Sequence, residues 1–211
     1  RKRDDPQTPP HRKRMLQLAA TMGAIPADYF QYYYFKDELL AELQAKPTTR
    51  SQDIMAHVPD YWRHYREQAA SDCPELDPES SRGGINELEL AIDVMDAVFN
   101  DRQEFWPVNV PNMGAIGNFP DDLVVEVPGF LDRHGVAPVA SGWLPRHLSG
   151  LVEMLAEYQA LTAEAAWQGT RLDAVRALAS HPLVLDLRRA ETLYAEMSAA
   201  HRAYLPARLL V

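Results

Sequence analysis

The sequence predicts an α+β fold, mostly helical with a small antiparallel sheet. Two observations carry this. Apolar residues recur at helical spacing through the first and last thirds of the chain. Between them lie two short strand-like runs, residues 105–110 and 123–127, joined by a link rich in turn formers. Helices, then strands, then helices is the order of an α+β arrangement, not of βαβ winding.

Residues 1–14 (RKRDDPQTPPHRKR) combine basic residues with proline and no apolar side chain, so a solvated, extended lead-in or linker is expected there. Residues 15–211 are then expected to form one domain. Apolar residues start at Met15, Leu16 and Leu18, and Gly23 and Pro26 break the first helix. An aromatic block, Tyr29-Phe30-Gln31-Tyr32-Tyr33-Tyr34-Phe35, leads into a helix through Leu39, Leu40 and Leu43. Residues 51–70 repeat Ile54, Met55, Val58, Tyr61, Trp62 and Tyr65 near helical spacing, and Pro59 should bend or interrupt that helix. A polar loop over 71–84 ends in Arg82-Gly83-Gly84.

A helix from about Asn86 to Phe99 should turn Leu88, Ile92, Met95 and Phe99 to one inner face. Pro107 suggests an edge position for the first strand, and residues 136–140 offer a short third one. After Pro145 a long stripe, Leu148, Leu151, Leu155, Tyr158, Leu161 and Ala165, marks a helix that Gly169 stops. A short helix over 171–180 ends at His181-Pro182. A last helix from Leu187 to Tyr204 should point Leu193, Met197 and Tyr204 inward.

Composition limits the function classes. The 211 residues carry 21 Lys and Arg against 30 Asp and Glu, a net charge of −9. So acidic a chain does not attract phosphate backbones, and no nucleic-acid partner is expected. The single cysteine, Cys73, excludes an internal disulfide and a multi-cysteine zinc site. No apolar run approaches a membrane span, no signal-peptide pattern opens the chain, and a cytoplasmic setting with no membrane partner is expected.

No phosphate-binding loop, G-x-G-x-x-G, H-E-x-x-H or G-x-S-x-G occurs. His57 and His64 lie two helical turns apart, too far to chelate one ion unaided. Three consecutive tyrosines cannot share one buried face, so at least one hydroxyl meets water, a polar partner or a ligand. Packing or a subunit interface is the plainer reading of that block. Arg82-Gly83-Gly84 before a helix is either an anion site of backbone N–H groups and guanidinium or an ordinary glycine-rich helix start. Asn109 and Asn112, at a strand end, either cap the turn or bind a sugar hydroxyl or cofactor amide.

A longer pattern joins these pieces: Ile25-Pro26, Tyr32-Tyr33-Tyr34, Arg82-Gly83-Gly84, Val108-Asn109-Val110-Pro111-Asn112, Gly114-Ala115-Ile116, Asn118-Phe119-Pro120-Asp121-Asp122 and His181-Pro182-Leu183-Val184. It resembles the C-terminal region of the family 4 glycoside hydrolases, and the 6-phospho-β-glucosidases most. The resemblance covers the chain from about residue 15 and implies the substrate and assembly domain of a lactate/malate-dehydrogenase-like enzyme. The implied chemistry is redox-assisted: NAD⁺ takes a hydride from C3 of the sugar, a base removes the C2 proton, Mn²⁺ stabilises the enediolate, and the glycosidic oxygen leaves by elimination. The implied base is Tyr32, with Tyr33 second. Arg82 and Gly83, and Asn109 and Asn112, are implied substrate-binding residues.

The resemblance also implies that the family's N-terminal nucleotide-binding domain and its Cys and His metal ligands lie outside this chain. No metal ligand and no bound NAD or Mn²⁺ are expected of the fragment alone, nor turnover. The implied partners are a phosphorylated disaccharide or aryl glycoside, the missing nucleotide-binding domain, and further copies in a homo-oligomer. Two alternatives stand beside it: a non-catalytic assembly or sugar-phosphate-binding module, and the same scaffold acting on α-glycosides.

Overall fold

The structure is a computed structural model that describes residues 8–75, 77 and 85–210, the side chains of 85–89 excepted. Arg82, Gly83 and Gly84, the candidate anion site, lie outside the described residues. Eight α-helices and one three-stranded sheet occur among the described residues. They group into two units: residues 1–34, 109–127 and 140–211 form one, and 35–108 with 128–139 the other. Neither unit is a continuous stretch of chain.

In the first unit, α1 (Pro10–Met22) starts five residues earlier than the extended lead-in allows. Proline is tolerated in the first helical turn, where its missing N–H costs no hydrogen bond. Arg14 sits buried on this helix beside Leu18, and its Nη2 donates to Gln31 Oε1 at 3.4 Å. Gly23, left-handed at φ 66°, ends α1 as expected. A 3₁₀ turn over Asp28–Phe30 and a single helical turn, α2 (Gln31–Tyr34), carry the aromatic block.

The long stripe forms α6 (Arg146–Trp167), with all its members buried or half-buried. Gly169 is required where the chain leaves it: a Cβ there would lie 2.6 Å from Ala165 Cα. The turn into α7 (Arg171–Ser180) is a capping box, in which Thr170 N–H donates to Asp173 Oδ2 at 2.8 Å. α8 (Leu187–Ala200) buries Ala190 and Tyr194, which pack with Val175 of α7. The helix stops before Tyr204, which is exposed, as is Met197, so the inner face predicted through those residues is corrected to Ala190 and Tyr194. Arg208 reaches back to the end of α6, donating to the carbonyls of Ala165 at 3.1 Å and Ala166 at 2.6 Å.

In the second unit, Phe35 leads into α3 (Lys36–Gln44) and then α4 (Arg50–Ala69). Gln52 N–H donates to Thr49 Oγ1 at 3.3 Å while Thr49 N–H donates to Gln52 Oε1 at 2.8 Å, closing a capping box at the start of α4. Pro59 does not interrupt α4, which runs on through twenty residues. Its half-buried face repeats Ile54, Val58, Tyr61 and Tyr65, and this periodic packing offsets the hydrogen bond that proline removes.

The next helix, α5 (Ile85–Phe99), is turned differently from its predicted orientation. Ile92, Met95 and Phe99 are exposed, Phe99 at 89%, while Val94, Ala97 and Val98 face inward and Ala97 is fully buried. The helix is apolar on two sides, and the smaller residues form the side that packs. The Leu88 side chain, on the predicted stripe, lies outside the described residues.

The sheet follows in the order β1 (Glu104–Pro111), β2 (Val124–Asp132), β3 (Gly135–Pro138). β2 pairs antiparallel with β3, Phe130 opposite Ala137 and Asp132 opposite Gly135. β1 is an edge strand, as Pro107 implied, and β2 runs five residues beyond its predicted end. Gly129 in β2 leaves room for Val108 and Val136, since a Cβ there would lie 2.5 Å and 2.9 Å from their methyl groups.

Candidate functional site

The tyrosine block is sorted by burial. Tyr29 is 75% exposed and Tyr32 39%, with ring centroids 6.5 Å apart and planes 24° from parallel. Phe30 and Tyr34 stack at 6.3 Å. Of the block's four tyrosines only Tyr33 turns inward and is half-buried. Its ring lies 6.3 Å from that of His181, which in turn meets Tyr158 of α6 edge to face at 4.5 Å.

Burial, followed by the nearby Tyr158 hydroxyl, pushes the Tyr33 phenol above its ordinary value. Its hydroxyl therefore stays protonated to higher pH than a free tyrosine's. Tyr32 has no such enclosure and presents its ring toward solvent.

Asn109 and Asn112 are separated by the strand's alternation. β1 turns Trp106, Val108 and Val110 inward and leaves Asn109 exposed on the other face. Asn112, just past the strand, is completely buried. Its Oδ1 accepts from Ile116 N–H at 2.7 Å, and its Nδ2 donates to the carbonyls of Ile116 at 3.0 Å, Phe119 at 2.9 Å and Pro120 at 3.2 Å. The side chain is spent on the 112–123 turn, so the substrate-binding role expected of Asn112 gives way to a turn-holding one.

Asn118, which no spacing argument singled out, makes the companion clamp. Its Oδ1 accepts from Leu144 N–H at 3.0 Å and its Nδ2 donates to Leu144 O at 3.3 Å. The signal in the sequence was only its place in the Asn-Phe-Pro-Asp-Asp run.

Two cavities lie in the first unit. One, about 690 Å³, is bordered by Asn118, Asp122, Glu153 and Glu157, an acidic rim that disfavours a phosphate. The other, about 330 Å³, is apolar and lies among α6, α7 and α8 against Tyr158, Leu178 and Tyr194. Neither is lined by Tyr32 or Tyr33.

His57 and His64 have backbone partners in place of a shared ion: His57 Nδ1 lies 2.7 Å from Asp53 O, and His64 Nε2 accepts from Asp77 N–H at 3.2 Å. Among the described residues no three His, Cys, Asp or Glu side chains stand where they could hold a metal ion. No helix among them is long and apolar enough to cross a membrane.

Comparison with known proteins gives a consistent picture. A family model of the family 4 glycosyl hydrolase C-terminal domain matches residues 2–184. A probable 6-phospho-β-glucosidase of Bacillus subtilis (strain 168) is 34% identical over 189 residues, covering 88% of this chain and 42% of that protein. The 6-phospho-β-glucosidase of Escherichia coli (strain K12) is 31% identical over 199 residues, covering 90% and 42%. The chain therefore spans less than half the length of these relatives. The structure of the 6-phospho-β-glucosidase of Thermotoga maritima with manganese, NAD⁺ and glucose-6-phosphate superposes with a TM-score of 0.79 at 25% identity, covering 90% of this chain and 45% of that one.

Proposed function

This chain belongs to the family 4 glycosyl hydrolases, and on that premise we propose that it is the C-terminal domain of an enzyme hydrolysing 6-phospho-β-glucosides with NAD and Mn²⁺. The supporting observation is the likeness to two 6-phospho-β-glucosidases at 34% and 31% identity over most of this chain. A relative's structure with manganese, NAD⁺ and glucose-6-phosphate supports the cofactors and a phosphorylated sugar as substrate. Residues 15–211 form the family domain in this reading, and further copies, in a homo-oligomer, and a cytoplasmic setting belong to it as well.

The described residues do not fit the metal, since no cluster of three ligand side chains occurs among them. The reading assigns both cofactors to a nucleotide-binding domain in the part of the relatives' length that this chain does not span, and expects this chain alone to be inactive. The chain's own contribution is the tyrosine block. Tyr32 is the general base that takes a proton from the sugar in this reading, as the family resemblance implies, and its ring is more open than that of the half-buried Tyr33. Asn109, exposed on β1, and Arg82 with Gly83 remain substrate-binding residues in this reading.

The test is turnover of an aryl 6-phospho-β-glucoside by the complete enzyme, with and without NAD⁺ and Mn²⁺. Activity only with both is expected. Tyr32→Phe should lower kcat by about 10²-fold or more, the usual worth of a general base. Tyr33→Phe, which keeps its ring, should stay within about threefold, since it loses only a hydroxyl outside the chemistry. Turnover of the α-anomer alone overturns the substrate, and an undiminished Tyr32→Phe overturns the base.

A further inference from the structure

We propose that His181 is a positioning residue: as a neutral imidazole held between Tyr158 and Tyr33 it fixes α2, and with it the place of Tyr32. The inference rests on the assignment of Tyr32 as the base.

The geometry begins with a dipeptide. His181 precedes Pro182, and a residue before proline is pushed out of the helical region. It ends α7 in an extended conformation, φ −65° and ψ 130°. Its backbone is held on both sides: its N–H donates to Leu178 O at 3.2 Å, and its carbonyl accepts from Val184 N–H at 2.8 Å and Leu185 N–H at 3.1 Å. The ring is tied as well, because Leu183 N–H donates to His181 Nδ1 at 3.1 Å. A ring nitrogen that accepts a hydrogen bond carries no proton, so the imidazole is neutral with its hydrogen on Nε2. Burial, which holds its pKa below the ordinary histidine value, agrees with this.

What the ring supports cannot hold itself in place. α2 is four residues long, a single turn, and an isolated turn is unstable in water. It continues the 3₁₀ turn before it and packs against α1, and two side-chain contacts tie it to elements distant in sequence. One is the hydrogen bond from Arg14 to Gln31, long at 3.4 Å. The other is the inward ring of Tyr33 against His181, itself backed edge-on by Tyr158. Tyr32 is the next residue along. Removing the wall behind Tyr33 lets the turn rotate or fray, and the base leaves its position with the turn. A displacement of about 1 Å at a reacting group is enough to cost roughly 10²-fold.

The test uses the complete enzyme and two substitutions that divide the roles of His181. His181→Asn keeps an acceptor for Leu183 N–H, since Asn before Pro makes the same local turn, but removes the aromatic wall. His181→Phe keeps the wall and removes the acceptor. We expect kcat to fall about tenfold in His181→Asn with KM within about twofold, and to recover to within about threefold of the parent in His181→Phe. Tyr33→Leu should cost about as much as His181→Asn, and the double variant no more than either, because both act through one contact. Unfolding midpoints confirm that each variant is folded at the assay temperature.

Parental kcat in His181→Asn, or losses that multiply in the double variant, overturn the inference. These failures are distinct from that of the underlying assignment, which falls only if Tyr32→Phe retains full turnover.

Discussion

Asn112 and Ile116 are joined by a reciprocal pair of hydrogen bonds, the Asn side chain accepting from the Ile116 N–H and donating to the Ile116 carbonyl. One buried side chain thus closes the turn that follows β1 and also satisfies the carbonyls of Phe119 and Pro120. Ala115, inside the turn, packs with Val125 and Val127 of β2, and Ile116 and Phe119 pack against that cluster.

Asn112→Ala takes the Asn112 partner from the Ile116 N–H and the Phe119 carbonyl, while the Ile116 and Pro120 carbonyls keep the N–H groups of Phe119 and Leu123. A loss of about 2–4 kcal/mol is expected, since each unsatisfied buried group costs about 1–3 kcal/mol and the turn relaxes in part. Asn112→Asp should be worse, because it sets a carboxylate against the same carbonyls. Urea unfolding of the three proteins measures this. A substrate contact would instead give a raised KM with an unchanged unfolding midpoint.

The end of α6 depends on two residues distant in sequence. Gly169→Ala puts a methyl group 2.6 Å from Ala165 Cα and should destabilise by about 1–3 kcal/mol, the usual cost of overpacking. Arg208→Ala removes the donors from the terminal carbonyls of α6 and should cost a comparable amount, about 1–3 kcal/mol for hydrogen bonds from a charged group. Thermal unfolding of both variants tests the pair. An unchanged midpoint in Arg208→Ala would mean that water caps the helix equally well.

The outward apolar face of α5 gives a contrasting expectation. Phe99→Ser should change the stability of this chain by no more than about 0.5 kcal/mol, because the ring is 89% exposed. Ala97→Leu, at a fully buried position, should cost about 1–3 kcal/mol. The reverse order, read from denaturant midpoints, would return Phe99 to the core.

Stability should also depend on pH through His181. Its folded pKa lies below the ordinary 6.5, so near and below that value the unfolded chain binds a proton that the folded chain refuses. The contribution is fully present above pH 6.5 and is lost as pH falls through the folded pKa. The unfolding midpoint should fall as pH is lowered below the ordinary histidine value of 6.5, and His181→Asn should flatten that fall. Asp101, held low by its hydrogen bonds from Arg133, acts in a lower window: its contribution is present above 3.8 and is lost only below it.

The periodic elements were legible in the sequence. The stripe from Leu148 to Ala165 gave α6 because one face alone was apolar, and Gly23 gave the end of α1 because few other residues take a left-handed cap. The face of α5 was not legible, because a helix apolar on two sides has two equally good stripes and only its neighbours choose between them. Extended structure at 10–14 also failed: charge argued for solvent, but the Arg14 stem is long enough to pack while its guanidinium reaches Gln31.

For the site, the sequence by itself determined the family resemblance, the tyrosine block and the His-Pro stop of α7. These are statements about residue type and order, which survive without coordinates. Only the tertiary structure decided which tyrosine turns inward, that Asn112 is consumed by its own turn while Asn109 stays exposed, and that Tyr33, Tyr158 and His181 share one contact. Those three belong to α2, α6 and the end of α7, and no local spacing relates them. They meet because the packing of the first unit closes long loops, and burial then sets the protonation of the groups it encloses.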